Sequence, residues 1–145
     1  MATVQSIAEA IQTQMATVSG VDYTSVDDYL PSIKTQSIAC LVLPFGQTDT
    51  VTLSDFGPNT AAFTHRIKVE FWVKHIQGKA NNTMQRAREI FRLAVIALLA
   101  GDGTGYTLSP DLRIEGNVEQ GFLTVESMPY LVATLYVPVL NEEDL

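Results

Sequence analysis

The sequence predicts an α+β fold, a mostly antiparallel sheet with two main helices packed on one face. Three observations lead there. Residues 3–20 and 83–100 carry apolar side chains at helical spacing. Several other segments alternate, or run continuously apolar, over strand lengths. The strands outnumber the helices and are not separated from one another by helices, which disfavours a parallel βαβ arrangement. With 145 residues the chain fits a single domain, residues 1–145. A domain of that size buries roughly 70% of its unfolded surface, enough to fold without staples. A charged fraction of 17% against 46% hydrophobic residues argues against disorder.

The first helix is read from Val4, Ile7, Ala8, Ile11, Met15 and Val18, which form one stripe. Thr3 is its expected N-cap and Gly20 its expected stop. Residues 21–36 are rich in turn formers and are expected to wrap the surface. "SIACLVLPF" reads as a buried strand closed by Pro44. Residues 46–64 read as a hairpin-like arm, with "DTVTLSD" as a short strand and "FGPNTAA" as a turn. Its candidates for contact with another molecule are Asp49, Thr50, Asp55, Phe56 and Asn59. "HRIKVEFWVKH", residues 65–75, alternates. Ile67, Val69, Phe71 and Val73 face one way. Arg66, Lys68, Glu70, Trp72 and Lys74 face the other, and that face is solvated surface, a subunit seam or the wall of a lumen.

The second helix is expected from about Thr83 to Ala100, with Asn82 and Gln85 as a capping box and Gly101 as its end. Arg86, Arg88, Glu89 and Arg92 fall on exposed positions of its first half. The second half, "LAVIALLA", is apolar nearly all round, so it is either sunk in the core or covered by a neighbour. "LRIEGNV", "GFLTVES" and "YLVATLYVPV" supply the last strands. The third is apolar on both faces and is expected to be covered on both. "NEEDL", residues 141–145, reads as a frayed acidic tail.

Charge and motifs exclude more than they assign. A net charge of −7 argues against gripping nucleic acid through its phosphates. Cys40 is the one cysteine, in an apolar run, and reads as an inert buried thiol. His65 and His75 share a strand face but lie about 33 Å apart along an extended strand, too far to share a metal. "GDGTGY", residues 101–106, follows a helix and lacks a trailing Lys, so it reads as a helix stop and turn, not a phosphate cradle. Asp27 and Asp28 are adjacent and diverge on most backbones. No nucleophile elbow or metal-ligand spacing occurs. The expectation is a protein without catalytic, metal or cofactor residues. The N-terminus lacks the form of a signal peptide, and the apolar run 93–100 is far short of the roughly 20 residues that span a bilayer, so no membrane role is expected.

The layout resembles the tail terminator (tail-completion, head–tail joining) proteins of long-tailed bacteriophages. The matching stretches are the N-terminal amphipathic helix, "YLPSIKTQSIACLVLPFG", the arm with "HRIKVEFWVK", "NNTMQRAREIFRLAVIALL" and "MPYLVATLYVPVL". Together they cover nearly the whole chain, as a pattern rather than a motif. The resemblance implies a homo-oligomeric ring, usually of six copies, at the head-proximal end of the tail. There it ends growth of the tail tube and meets the head connector or stopper protein. It implies a virion protein assembled in the host cytoplasm, with DNA passing through the ring as non-specific cargo. The charged and aromatic residues Arg66, Lys68, Glu70, Trp72, Lys74, Arg86, Arg88 and Arg92 become its seam or lumen candidates. Another phage neck or minor tail protein of related fold would share the pattern. A small cytosolic binding domain or small enzyme using a pocket between helix and sheet is the competing class.

Overall fold

The computed structural model describes residues 3–26, 38–44, 50–53, 60–75, 80–109, 113–118, 123–125 and 128–144. It has the α+β architecture expected, with helix α1 (Val4–Met15), strands β1 (Tyr23–Val26), β2 (Ile38–Leu43), β3 (Thr50–Leu53) and β4 (Thr60–Lys74), helix α2 (Ala80–Ala100), and strands β5 (Glu115–Val118), β6 (Leu123–Val125) and β7 (Met128–Asp144). The sheet runs β1-β2-β4-β7-β5, with β3 added to β4 and β6 to β7. Among the described residues only the β1–β2 pair is parallel.

The spine of the sheet is the β4–β7 ribbon, paired from Thr60↔Asp144 to Lys74↔Tyr130. At about 3.4 Å per residue its 15 residues reach roughly 50 Å. β2 and β3 share one edge of β4, at Lys68 to Val73 and at Ala61 to Thr64 respectively. The described part of the arm, residues 50–53 and 60–64, is therefore a continuation of the sheet, three strands wide: β3, the start of β4 and the end of β7. Its β3 packs on β4, with neither helix among its substantial neighbours.

Both helices cover one face of the sheet. Ile7, Ala8, Ile11 and Met15 of α1 and Ala87, Ile90, Ala94 and Leu98 of α2 meet Cys40, Val42, Ile67, Val69, Phe71, Leu131, Ala133 and Leu135 in one buried cluster. The alternation of β4 puts its four apolar residues there, as period 2 requires. Polar ties register the layers: Gln14 Nε2 donates to the Ala97 carbonyl at 2.9 Å, and Gln12 Nε2 to the Thr24 carbonyl at 3.3 Å.

Several boundaries differ from the sequence reading. Thr3 does cap α1, in a reciprocal box with Ser6, but the helix closes at Ala16, and Gly20 serves the following turn with φ +95°. Residues 23–26 are a strand, not a wrapping loop, because a parallel partner at Ala39 to Val42 claims them. α2 begins at Ala80, which places Asn82 inside its first turn and removes the expected capping box. The tail is not frayed through 144. Asn141 to Asp144 pair with Phe63 to Thr60, so ladder hydrogen bonds hold what composition alone would release. Asp27, Asp28, Asp49, Asp55, Phe56 and Asn59 lie outside the described residues.

Candidate interaction surfaces

The face of the sheet opposite the helices is built from the alternate residues of β4 and its neighbours, and it divides into two zones. The first is polar and internally paired. Arg66 Nη2 donates to Glu115 Oε2 at 3.1 Å, and its guanidinium stands 5.7 Å from the centre of the Tyr136 ring. Lys68 and Glu70, two apart on the strand, pair at 3.5 Å, with the Glu70 side chain only 16% exposed. Two cations and two carboxylates thus cancel locally. The second zone is apolar: Ala39, Leu41, Leu43, Trp72, Tyr130 and Val132 form a buried cluster against which Tyr23 packs. Lys74, half-buried, sits at its end, opposite Tyr130.

Trp72 is therefore not a ring standing on an open charged face, as its sequence neighbours imply. It is 5% exposed within the chain alone, edge-on to Tyr130 with ring centres 6.0 Å apart. The physical reason is the register: β2 supplies Ala39 directly opposite Trp72, and β7 supplies Val132 on its other side. Those partners are distant in sequence, so alternation within β4 alone gives the face but not its cover. The indole Nε1 is buried with no hydrogen-bond partner among the described residues.

The second surface is the outer side of α2. Its N-terminal half carries Arg88 and Arg92 exposed and Arg86 half-buried. Arg92 Nε donates to Glu89 Oε2 at 3.1 Å. That contact holds the Glu89 carboxyl below its usual range and the Arg92 guanidinium above its own, through the hydrogen bond first and then through charge. Among the described residues neither Arg86 nor Arg88 has an ion-pair partner. The C-terminal half carries Ile96 and Leu99, 51% and 58% exposed, the exposed large hydrophobics among the described residues. Two grooves border α2. One, of about 330 Å³, lies between Gly20, Ile38, Arg86, Ile90 and Leu93. The other, of about 440 Å³, lies between Val95, Leu99, Leu108, Ile114 and Pro138. The sequence signalled the ridge as an apolar helix end without singling out these two residues. It gave no sign of Glu115 or Tyr136 as partners of Arg66, because those contacts cross the sheet.

No protein-family model matches this chain, and no curated protein sequence matches it.

The Cys40 thiol is fully buried, and burial pushes its pKa far above the ordinary thiol range. His65 is buried and stacked on Phe63 in the interior of β4, since the strand begins at Thr60. His75 Nδ1 lies 3.2 Å from Thr83 Oγ1, linking the end of β4 to the first turns of α2. The 101–106 segment is a helix stop and turn, with Gly103 and Gly105 at φ +92° and +111°. Tyr106 Oη donates to the Leu98 carbonyl at 2.7 Å, and burial, with the Asp102 charge adding to it, raises its pKa to about 12. Among the described residues no group of His, Cys, Asp and Glu is placed to hold a metal, and no helix is long and apolar enough to cross a membrane. Of the arm candidates, Thr50 is placed, its backbone paired with Thr64.

Proposed function

We propose that this chain is a structural subunit of a phage tail end: a homo-oligomeric ring, of six copies, that terminates the tail tube and joins it to the head connector or stopper. The pattern resemblance supplies that identity, and the reading places it in the virion with DNA passing through the ring. One observation carries the assembly part of it. Ile96 and Leu99 stand exposed side by side on α2, the large hydrophobics more than half exposed among the described side chains. Association that buries such a ridge is driven by the same apolar transfer that builds a core, about 25 cal/mol per Å² before association costs. A second support is the self-neutralised Arg66–Glu115 and Lys68–Glu70 zone, which offers no free cation to hold DNA. This favours the outer side of α2 over the sheet face as the seam.

Native mass spectrometry over a concentration series, with electron microscopy of tails from particles that contain the chain, tests the reading. The expected result is a closed ring of six copies at one tail end. A single copy per tail, or a chain absent from tails, overturns it.

A further inference from the structure

We propose that the acidic strand extension of one subunit docks on the basic, apolar-ended outer face of α2 in a second copy of this chain. This rests on the homo-oligomer reading above and names the two surfaces that meet. The first observation is the segregation of charge. The sheet extension ends in Glu142, Glu143 and Asp144 on β7, paired with Ala62, Ala61 and Thr60 of β4, and neither residues 45–64 nor residues 139–145 contain a Lys or Arg. Against this, α2 concentrates Arg86, Arg88 and Arg92 around a single Glu89 in a protein of net charge −7. Arg86 and Arg88 lack an ion-pair partner among the described residues. A cation on a strongly acidic protein that finds no carboxylate among the described residues is placed to receive one from another copy.

The second observation is geometry. β3, added to the end of β4 remote from Lys74, has neither helix among its substantial neighbours, so the extension projects from the body that its own helices cover. The Leu140 amide donates to the Thr107 carbonyl at 2.7 Å, and Ser109 to Pro138 at 2.9 Å, which marks where the ribbon passes the α2 end of the molecule. A contact between two different patches, repeated, is heterologous and closes into a ring when its rotation permits. Ile96 and Leu99 supply the dry centre of the site, and the arginines supply its charged rim.

Charge-swap variants of the full chain test this by sedimentation velocity at low and moderate salt. R88E with R92E on one side, or E142K with E143K on the other, is expected to weaken self-association about tenfold or more, since like charges then face each other. The four changes together should restore it to within about threefold, and added salt should erode the native contact. Circular dichroism melts show whether each variant is folded, and a folded variant is the one scored. A chain that assembles but ignores all four reversals overturns the docking while leaving the ring intact. Swap-rescued association that stops at a dimer keeps the docking and overturns the six-copy ring. A chain that stays monomeric up to millimolar concentration overturns the docking, and so does association that only the α2 reversals weaken, which points to a different partner surface.

Discussion

Trp72 shows how far one side chain's role depends on residues the local sequence does not contain. Its neighbours in β4 are charged, yet Ala39, Val132 and Tyr130 enclose it. Trp72→Ala should therefore unfold the chain more easily by about 3–5 kcal/mol, the usual cost of emptying a large aromatic site. Trp72→Phe should cost far less, because it also removes an indole N–H that is buried without a partner among the described residues. Chemical denaturation of both variants checks this, and a silent Trp72→Ala would contradict the burial. Cys40 permits a prediction with a sign. Burial raises its pKa in the folded state. Below the ordinary thiol pKa of about 8.5 both states keep the proton, and stability is unaffected. Above it the unfolded chain releases a proton that the folded chain retains, so stability falls as pH rises, by up to about 1.4 kcal/mol per unit. Tyr106, raised to about 12, adds to the fall from about pH 10 upward. A Cys40→Ala variant, less stable overall, should show a flatter decline between about pH 8.5 and 10 in denaturant titrations.

Elements were legible where their signal is local. The stripe of α1, its Thr3 cap, the continuous apolar β2, the alternation of 65–75 and the two-faced 130–137 all follow from period and composition, and the structure has each of them. What composition missed depends on pairing. β1 has turn-forming residues and is a strand only because β2 lies beside it. The acidic end of β7 looked disposable, yet it forms the partner of Thr60 to Phe63. Of the candidate surfaces, the α2 ridge was legible as an excess of apolar residues. The division of the sheet face into paired and apolar zones was not, since both zones join β4 to strands that follow or precede it at long range. Removing residues 141–145 tests the pairing. Amides of 60–63 should exchange faster in the truncated chain, while those of 67–73, paired to β7 at 131–137, should keep their protection. Unchanged exchange at 60–63 would mean that the tail frays. Gly101 offers a second test of an element boundary. A Cβ there would lie 2.4 Å from the Tyr106 hydroxyl and 2.7 Å from Gln14 Cδ. Gly101→Ala should therefore cost about 1–3 kcal/mol by overpacking the junction of α2 with α1, read as a lower denaturation midpoint.

At the scale of the whole molecule, the proposed assembly would draw on apolar residues that folding does not use, and that makes the two separable by mutation. The sheet with α1 and α2 buries Ile90, Ala94 and Leu98 along one side of α2, while Ile96 and Leu99 on its other side remain outside. Replacing both exposed residues with Asp removes no core contact. Surface substitutions of that kind usually change stability by within about 0.5 kcal/mol each. The melting temperature of Ile96→Asp/Leu99→Asp should accordingly stay close to that of the parent. Its self-association should not survive, because two carboxylates would have to be desolvated at the centre of the contact, where charge is most costly. Salt separates this variant from the arginine reversals. Screening should partly relieve the repulsion of Arg88→Glu and Arg92→Glu at the rim, but should leave the Asp pair as disruptive as before, since desolvation is not screened. Size-exclusion and sedimentation measurements in low and high salt, set beside the melts, distinguish the two effects. A variant that melts normally and still assembles would move the seam off α2. The ring would then have to be sought on the sheet face, where Lys74 and the Lys68–Glu70 and Arg66–Glu115 pairs are the charged groups.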